Sequence, residues 1–287
     1  MAGRSNILTT ALGLLLCACP APDYTALGDA HRVTVDGYDG DVMEPFISRD
    51  VARLYFNNSN SPDVDTNLHV ATRVDDDHFT YVGELSGANT GKLDAVATAD
   101  TSGRFYFVTL RSFDDDQTTV YTGRLNGNAL EQVTSVAGVA TRVPLMVDFD
   151  VESSFDGNTL WVAHGRFVPG FPWPTSGDVV ELRRNGDSFE RANPDTLDAV
   201  NSSALEYAAC SSPDALELVC TRVARAPGAE PSIVRAARSR VDAPFEAPQK
   251  VTAATGFVEG PALTPDGRSL YFHKKDGERY VLFRASR

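Results

Sequence analysis

Acidic residues recur at five comparable places in this chain, each just ahead of a short apolar strand: Glu44, Asp94, Asp148 with Asp150, Glu206 and Glu259. Carboxylates gathered in one place can do three kinds of chemistry. A pair held at a set separation can act as general acid and general base, as glycoside hydrolysis requires. A ring of them can recruit a cation or raise one another's pKa. Each can also cap its own strand through hydrogen bonds to a neighbouring strand, which needs no ligand. Other catalytic signals are thin. His31, His69, His78, His164 and His273 lack zinc-ligand spacing, and neither a Gly-x-Ser-x-Gly elbow nor a phosphate-cradling glycine loop occurs. Ca2+ is the one cofactor that the oxygen-rich stretches 57–65 and 114–116 would suit, yet neither has the spacing of a twelve-residue calcium loop. The most unusual stretch is Phe167-Val-Pro-Gly-Phe-Pro-Trp-Pro174, where Phe171 and Trp173 stand between prolines as stiff apolar groups suited to recognition.

The elements that must position these groups are repeated. Five triplets, Leu54-Tyr55-Phe56, Phe105-Tyr106-Phe107, Leu160-Trp161-Val162, Leu218-Val219-Cys220 and Leu270-Tyr271-Phe272, recur with a period of 51 to 58 residues. Each is the second strand of a unit that starts with an apolar strand and a polar turn and ends with a third apolar strand. Such a period with several strands per unit predicts an all-β chain folded as a β-propeller of five four-stranded blades, with six shorter blades as the alternative. Fourth strands are expected at 79–85, 129–134, 188–192 and 245–251, and the fifth copy has none before Arg287. The segment His31 to Asp36 is expected to supply it and so remove an exposed edge. First strands line the channel of a propeller, so the carboxylates would meet at one mouth of it, on the face where the Phe171 and Trp173 loop opens.

The last copy, Glu259-Gly-Pro-Ala-Leu-Thr-Pro-Asp-Gly-Arg-Ser-Leu-Tyr-Phe272, resembles the WD-like repeat of TolB-type propellers, and the segment from Arg235 to Pro248 resembles the connection between blades in that family. Parts of the turn persist as Ser48-Arg49-Asp50, Ser154-Phe155-Asp156-Gly157 and Ser212-Pro213-Asp214. The resemblance covers residues 31 to 287 and implies chiefly a fold and a binding role. The aspartates of these turns are assigned to folding.

Ahead of the repeats, Arg4 precedes an apolar run from Ile7 to Leu16 that is too short to span a bilayer, followed by Leu16-Cys17-Ala18-Cys19. These four residues resemble the bacterial lipobox. Residues 1–18 are therefore expected to be a lipoprotein signal peptide, Cys19 the lipidated residue, 19–30 a tether and 31–287 the propeller. Pro20 after the cysteine points to the outer membrane, facing either the periplasm or the surface. With 26 Lys and Arg against 39 Asp and Glu, the net charge of −13 gives no reason to seek nucleic acid or anionic lipid. A lipid anchor would then be the sole membrane contact, and the chain is expected to be a monomer. Cys210 and Cys220, on neighbouring strands of the fourth copy, are expected to form a disulfide in an oxidising envelope, with two buried free thiols as the rival. The leading expectation is a non-enzymatic scaffold recognising an envelope protein or a saccharide. The runner-up is a propeller glycoside hydrolase working through the carboxylates at the tunnel mouth.

Overall fold

The computed structural model describes residues 27–171 and 173–287. Its strands form four hydrogen-bonded sheets, the largest of which joins two antiparallel units through one parallel pair, Gly177 with Leu205. Blade one runs through Met43–Ile47, Arg53–Asn57, Leu68–Arg73 and His78–Glu84, and blade two through Asp94–Ala99, Arg104–Thr109, Val120–Asn126 and Ala129–Ser135. Blade three runs through Met146–Ser153, Thr159–Arg166, Ser176–Asn185 and Ser188–Arg191, and blade four through Leu205–Ser211, Glu217–Val223, Ser232–Ala237 and Gln249–Lys250. Blade five has Val258–Leu263, Ser269–Asp276 and Arg279–Ser286. The chain is an all-β propeller.

Side chains on a strand point alternately to its two faces, and the triplets use this to build every seam of the ring. The middle residue of each triplet packs with the outer two of the next. Tyr55 shares a core with Phe105 and Phe107, Tyr106 with Leu160 and Val162, and Trp161 with Leu218 and Cys220. Val219 joins Leu270 and Phe272, and Tyr271 closes the circle against Leu54 and Phe56. Each buried aromatic or aliphatic side chain contributes roughly 1.5–3 kcal/mol, so the sheet-to-sheet contacts dominate the stability of the ring.

The turn between first and second strands repeats one hydrogen-bond scheme. The hydroxyls of Ser48, Ser154, Ser212 and Thr264 donate to Asp50, Asp156, Asp214 and Asp266 at 2.5–2.6 Å. The same carboxylates accept the N–H groups of Ala52, Asn158, Leu216 and Arg268 at 3.0–3.1 Å. The residue after each aspartate is left-handed, easily so for Gly157 and Gly267, and against preference for Val51 and Ala215. The hydrogen bond from Ser48 and that from the Ala52 N–H hold Asp50 below the usual carboxylate pKa. These aspartates therefore serve folding.

Two expectations about the frame need correcting, the N-terminal strand and the last strand of blade four. The N-terminal segment divides across the seam between last and first blades: His31 and Arg32 pair with Arg284 and Phe283 on blade five, while Thr34 to Asp36 run parallel to His78 to Thr80 on blade one. Val33 and Val35, both buried in that seam, hold it there. Within the stretch expected as a tether, Gly28 donates to the Ser286 carbonyl at 2.8 Å and Leu27 and Ala30 pack on the core. In blade four the last strand is only Gln249–Lys250. Pro244 and Pro248 lack the N–H that a longer ladder would need.

Candidate functional site

The first strands of blades one, two, four and five each carry a bulge, whose left-handed residue is Glu44, Val96, Ala208 or Gly260, with φ of 45°, 54°, 48° and 60°. Blade three has a bulge without that conformation, between Asp148 and Asp150. In blades one and three the bulge redirects the side chain, so that Glu44 and Asp150 face the channel. Glu44 lies within the bulge of its strand and Asp150 just past that of its own, whereas Glu259 lies just before its bulge, opposite His273. These three, with Glu152, face one another in the channel. Asp94, Asp148 and Glu206 do not join them. Each is buried in an ion pair of its own blade: Asp94 with Arg111 at 3.1 Å, Asp148 with His164 at 2.7 Å and Glu206 with Arg222 at 2.8 Å. The expected convergence of all the strand-leading acids at one mouth is corrected to a convergence of three.

The channel is filled by these groups and their partners. Asn60, on the loop after the second strand of blade one, donates to Glu44 at 2.8 Å and sits over it. The Tyr207 hydroxyl donates to Glu259. The Glu44 N–H donates to Nδ1 of His273 at 3.1 Å, and His273 Nε2 lies 3.3 Å from Glu259. Burial lowers the His273 pKa, and the Glu259 hydrogen bond and both carboxylates raise it by more. The Nδ1 lone pair is nevertheless taken by the Glu44 N–H, so the ring is held neutral with its proton on Nε2. Gly260 is required here, since a Cβ would lie 2.7 Å from the Glu44 carboxylate and 2.8 Å from the His273 ring.

At the other end, Arg49 reaches across from blade one to plug the channel. Its guanidinium donates to the Ala99 and Ser153 carbonyls at 2.7 and 2.8 Å and to Glu152 at 3.2 Å. It stacks on Phe155 with its carbon 3.9 Å from the ring centroid. Glu152 also accepts from Thr98 at 2.5 Å. Beside Arg49 lies a cavity of about 30 Å³, lined by Glu44, Arg49, Asp150, Glu152, Ala208 and Cys210 among others. That volume suits roughly one water. Burial and then the charges of Glu44 and Glu152 push the Asp150 pKa well above the carboxylate range. Burial likewise raises that of Glu44. Both shifts favour the protonated acid, which relieves the repulsion within the group.

Cys210 and Cys220 are free thiols. Cys210 pairs with Val219, not Cys220, and the bulge after Tyr207 sends the two sulfurs to opposite faces of the blade. Cys220 fills the core shared with blade three, and Cys210 that shared with blade five. The expected disulfide is thus replaced by two buried thiols, and burial pushes Cys220 up to about 12. Among the described residues, no group of three or more His, Cys, Asp or Glu side chains is arranged to hold a metal. Cys17 and Cys19 lie outside the described residues.

The channel mouth connects to the aromatic loop through a run of rings. Phe149 lies 6.0 Å from Tyr207 and 5.5 Å from Phe167 between centroids. Gly165 leaves room for it, since a Cβ there would come within 2.7 Å of the Phe149 ring. Phe167 in turn donates its N–H to the Leu145 carbonyl at 2.8 Å, so the base of the loop is tied to the start of blade three. Beyond that base Phe171 and Trp173 are 63% and 60% exposed, with Val143 and Leu145 also exposed at the same end of the blade. Two exposed arginines, Arg142 and Arg166, belong to the same segments. No internal hydrophobic cluster among the described residues takes up Phe171 or Trp173.

Of the residues that build the channel, Arg49, Glu152, Tyr207 and His273 do not stand out in the sequence. Arg49 had a usable signal, for it occupies the turn position filled by Phe155, Pro213 and Pro265 in other copies. An arginine in an apolar slot calls for a partner.

No protein-family model matches the chain, and no curated protein matches it in sequence. Solved structures match it in fold. The catalytic domain of the Coprinopsis cinerea GH62 α-L-arabinofuranosidase is 10% identical, with a TM-score of 0.60 over 92% of this chain and 97% of that one. The Bacillus subtilis arabinanase Arb43A is 11% identical, with a TM-score of 0.55 over 86% of this chain and 94% of its own. TolB from Acinetobacter baumannii is 13% identical, with a TM-score of 0.47, and the match spans 55% of its length. The likenesses to the arabinofuranosidase and the arabinanase are likenesses of fold.

Proposed function

We propose that this protein is a non-catalytic, lipid-anchored propeller of the bacterial outer membrane that recognises an envelope protein or a saccharide through the blade-three loop. The observation that carries this reading is the small space left beside the channel carboxylates. Sites for small molecules are clefts of roughly 300–1,000 Å³, and the cavity beside Arg49, Glu44 and Asp150 is about 30 Å³. A sugar ring cannot reach Glu44, Asp150 or Glu259 without unseating their partners. The exposed Phe171 and Trp173 remain as the recognition surface, and aromatic anchors of this kind supply most of the energy at an interface. The second reading, a glycoside hydrolase, draws support from the full-length likeness in fold to enzymes described as an arabinofuranosidase and an arabinanase. Ca2+ has a place in neither reading, and neither calls for nucleic acid.

Pull-down from envelope extracts tests the recognition surface. Trp173→Ala should leave the melting temperature unchanged, since the side chain is mostly exposed, and weaken capture of the partner by about 2 kcal/mol, or roughly 30-fold. Undiminished capture would remove the loop from the account. For the anchor, Cys19→Ser should move the protein from the detergent phase to the soluble envelope fraction. Retention of that variant in the membrane would rule lipidation out as the tether.

A further inference from the structure

Away from the channel, between blades four and five, lies a cleft of about 240 Å³. Its aromatic side is Phe283, which stacks on the buried Phe272 with centroids 6.2 Å apart and 22° between planes. Thr252, Ala253 and Thr255, on the segment leading into blade five, form one side, and Asp29 and Ala30 contribute to the rim. Lys274 also lines the cleft, its Nζ 5.1 Å from the centroid of the Phe283 ring. The two arginines on the adjacent strand are engaged, Arg279 with Asp41 and Arg284 with Asp77, both at 2.8 Å. Lys274 differs. Among the described residues its ammonium forms no ion pair and no hydrogen bond, and the aromatic ring is its one charged-group contact.

An ammonium without a counter-ion beside an aromatic ring, in a space that encloses about ten non-hydrogen atoms, is a complementary setting for a small organic anion. We propose that this cleft binds a small monocarboxylate with a flat or branched apolar body, its carboxylate on Lys274 and its body on Phe283. Asp29 on the rim sets the charge: it disfavours a dianion such as phosphate and tolerates a single negative charge. The hydroxyls of Thr252 and Thr255 can serve the second carboxylate oxygen. The inference is independent of the blade-three loop and of any chemistry in the channel.

Benzoate is a suitable probe, titrated into the full mature chain by calorimetry and by ligand-observed NMR. Saturable binding is expected with a dissociation constant on the order of 1 mM, as its size allows. Lys274→Met keeps the length of the side chain and removes the charge, and should weaken benzoate at least about 10-fold with an unchanged melting temperature. Benzamide, the neutral isostere, should bind wild type correspondingly weakly, which tests the charge without any substitution. Trp173→Ala should bind benzoate as wild type does. No saturable binding by wild type, or equal binding of benzoate and benzamide, or of benzoate to wild type and Lys274→Met, would each overturn the proposal.

Discussion

Arg49→Ala is expected to cost about 3–5 kcal/mol of stability, because it strips a buried carboxylate of its charged partner. Arg49 and Glu152 are both nearly inaccessible, at 7% and 6% side-chain exposure. The arginine also satisfies two carbonyls, on blades two and three, that have no water to turn to. It thus ties three blades at the closed end of the channel. Equilibrium unfolding in urea measures the loss, and Glu152→Gln in the same background should restore part of it by removing the orphaned charge. A loss below about 1 kcal/mol would mean that the channel is open to solvent at this end.

Asp150→Asn is expected to act in the opposite direction, and only at higher pH. The folded-state pKa of Asp150 is raised, by burial first and then by Glu44 and Glu152. The folded protein therefore retains a proton that the unfolded chain releases above about pH 4. The neutral acid is tolerated at low pH, and the wild type loses stability as pH rises from there toward the folded pKa. Asparagine mimics the neutral acid at every pH. Relative to wild type, the variant should be similar near pH 4 and more stable by upwards of about 1 kcal/mol at pH 8. Parallel stability curves across that range would show that Asp150 is ionised and solvated in the folded protein.

The triplets made the fold readable because strand alternation alone assigns the middle residue to one seam and its neighbours to the other. Tyr55, Tyr106, Trp161, Val219 and Tyr271 could be aligned without knowing the turns. The channel was harder. Glu44, Asp94, Asp148, Glu206 and Glu259 look equivalent in sequence, yet bulges turn Glu44 and Asp150 into the channel while Asp94, Asp148 and Glu206 pair with Arg111, His164 and Arg222. A bulge leaves little trace in composition when its left-handed residue is a glutamate, a valine or an alanine. The same shift separated Cys210 from Cys220. The N-terminal segment was misplaced in part for a different reason: Val33 and Val35 are apolar enough for either blade, and only the seam between Tyr271 and Phe56 determines that they serve both.

That the channel carboxylates stay out of reach of substrate is tested most directly by assaying hydrolysis of a panel of aryl glycosides by the purified mature protein beside its Glu44→Gln and Asp150→Asn variants. A cavity of about 30 Å³ beside them predicts no turnover by wild type above that of either variant. Turnover by wild type that both substitutions abolish, with folding intact, would show that these carboxylates reach substrate and would contradict the account.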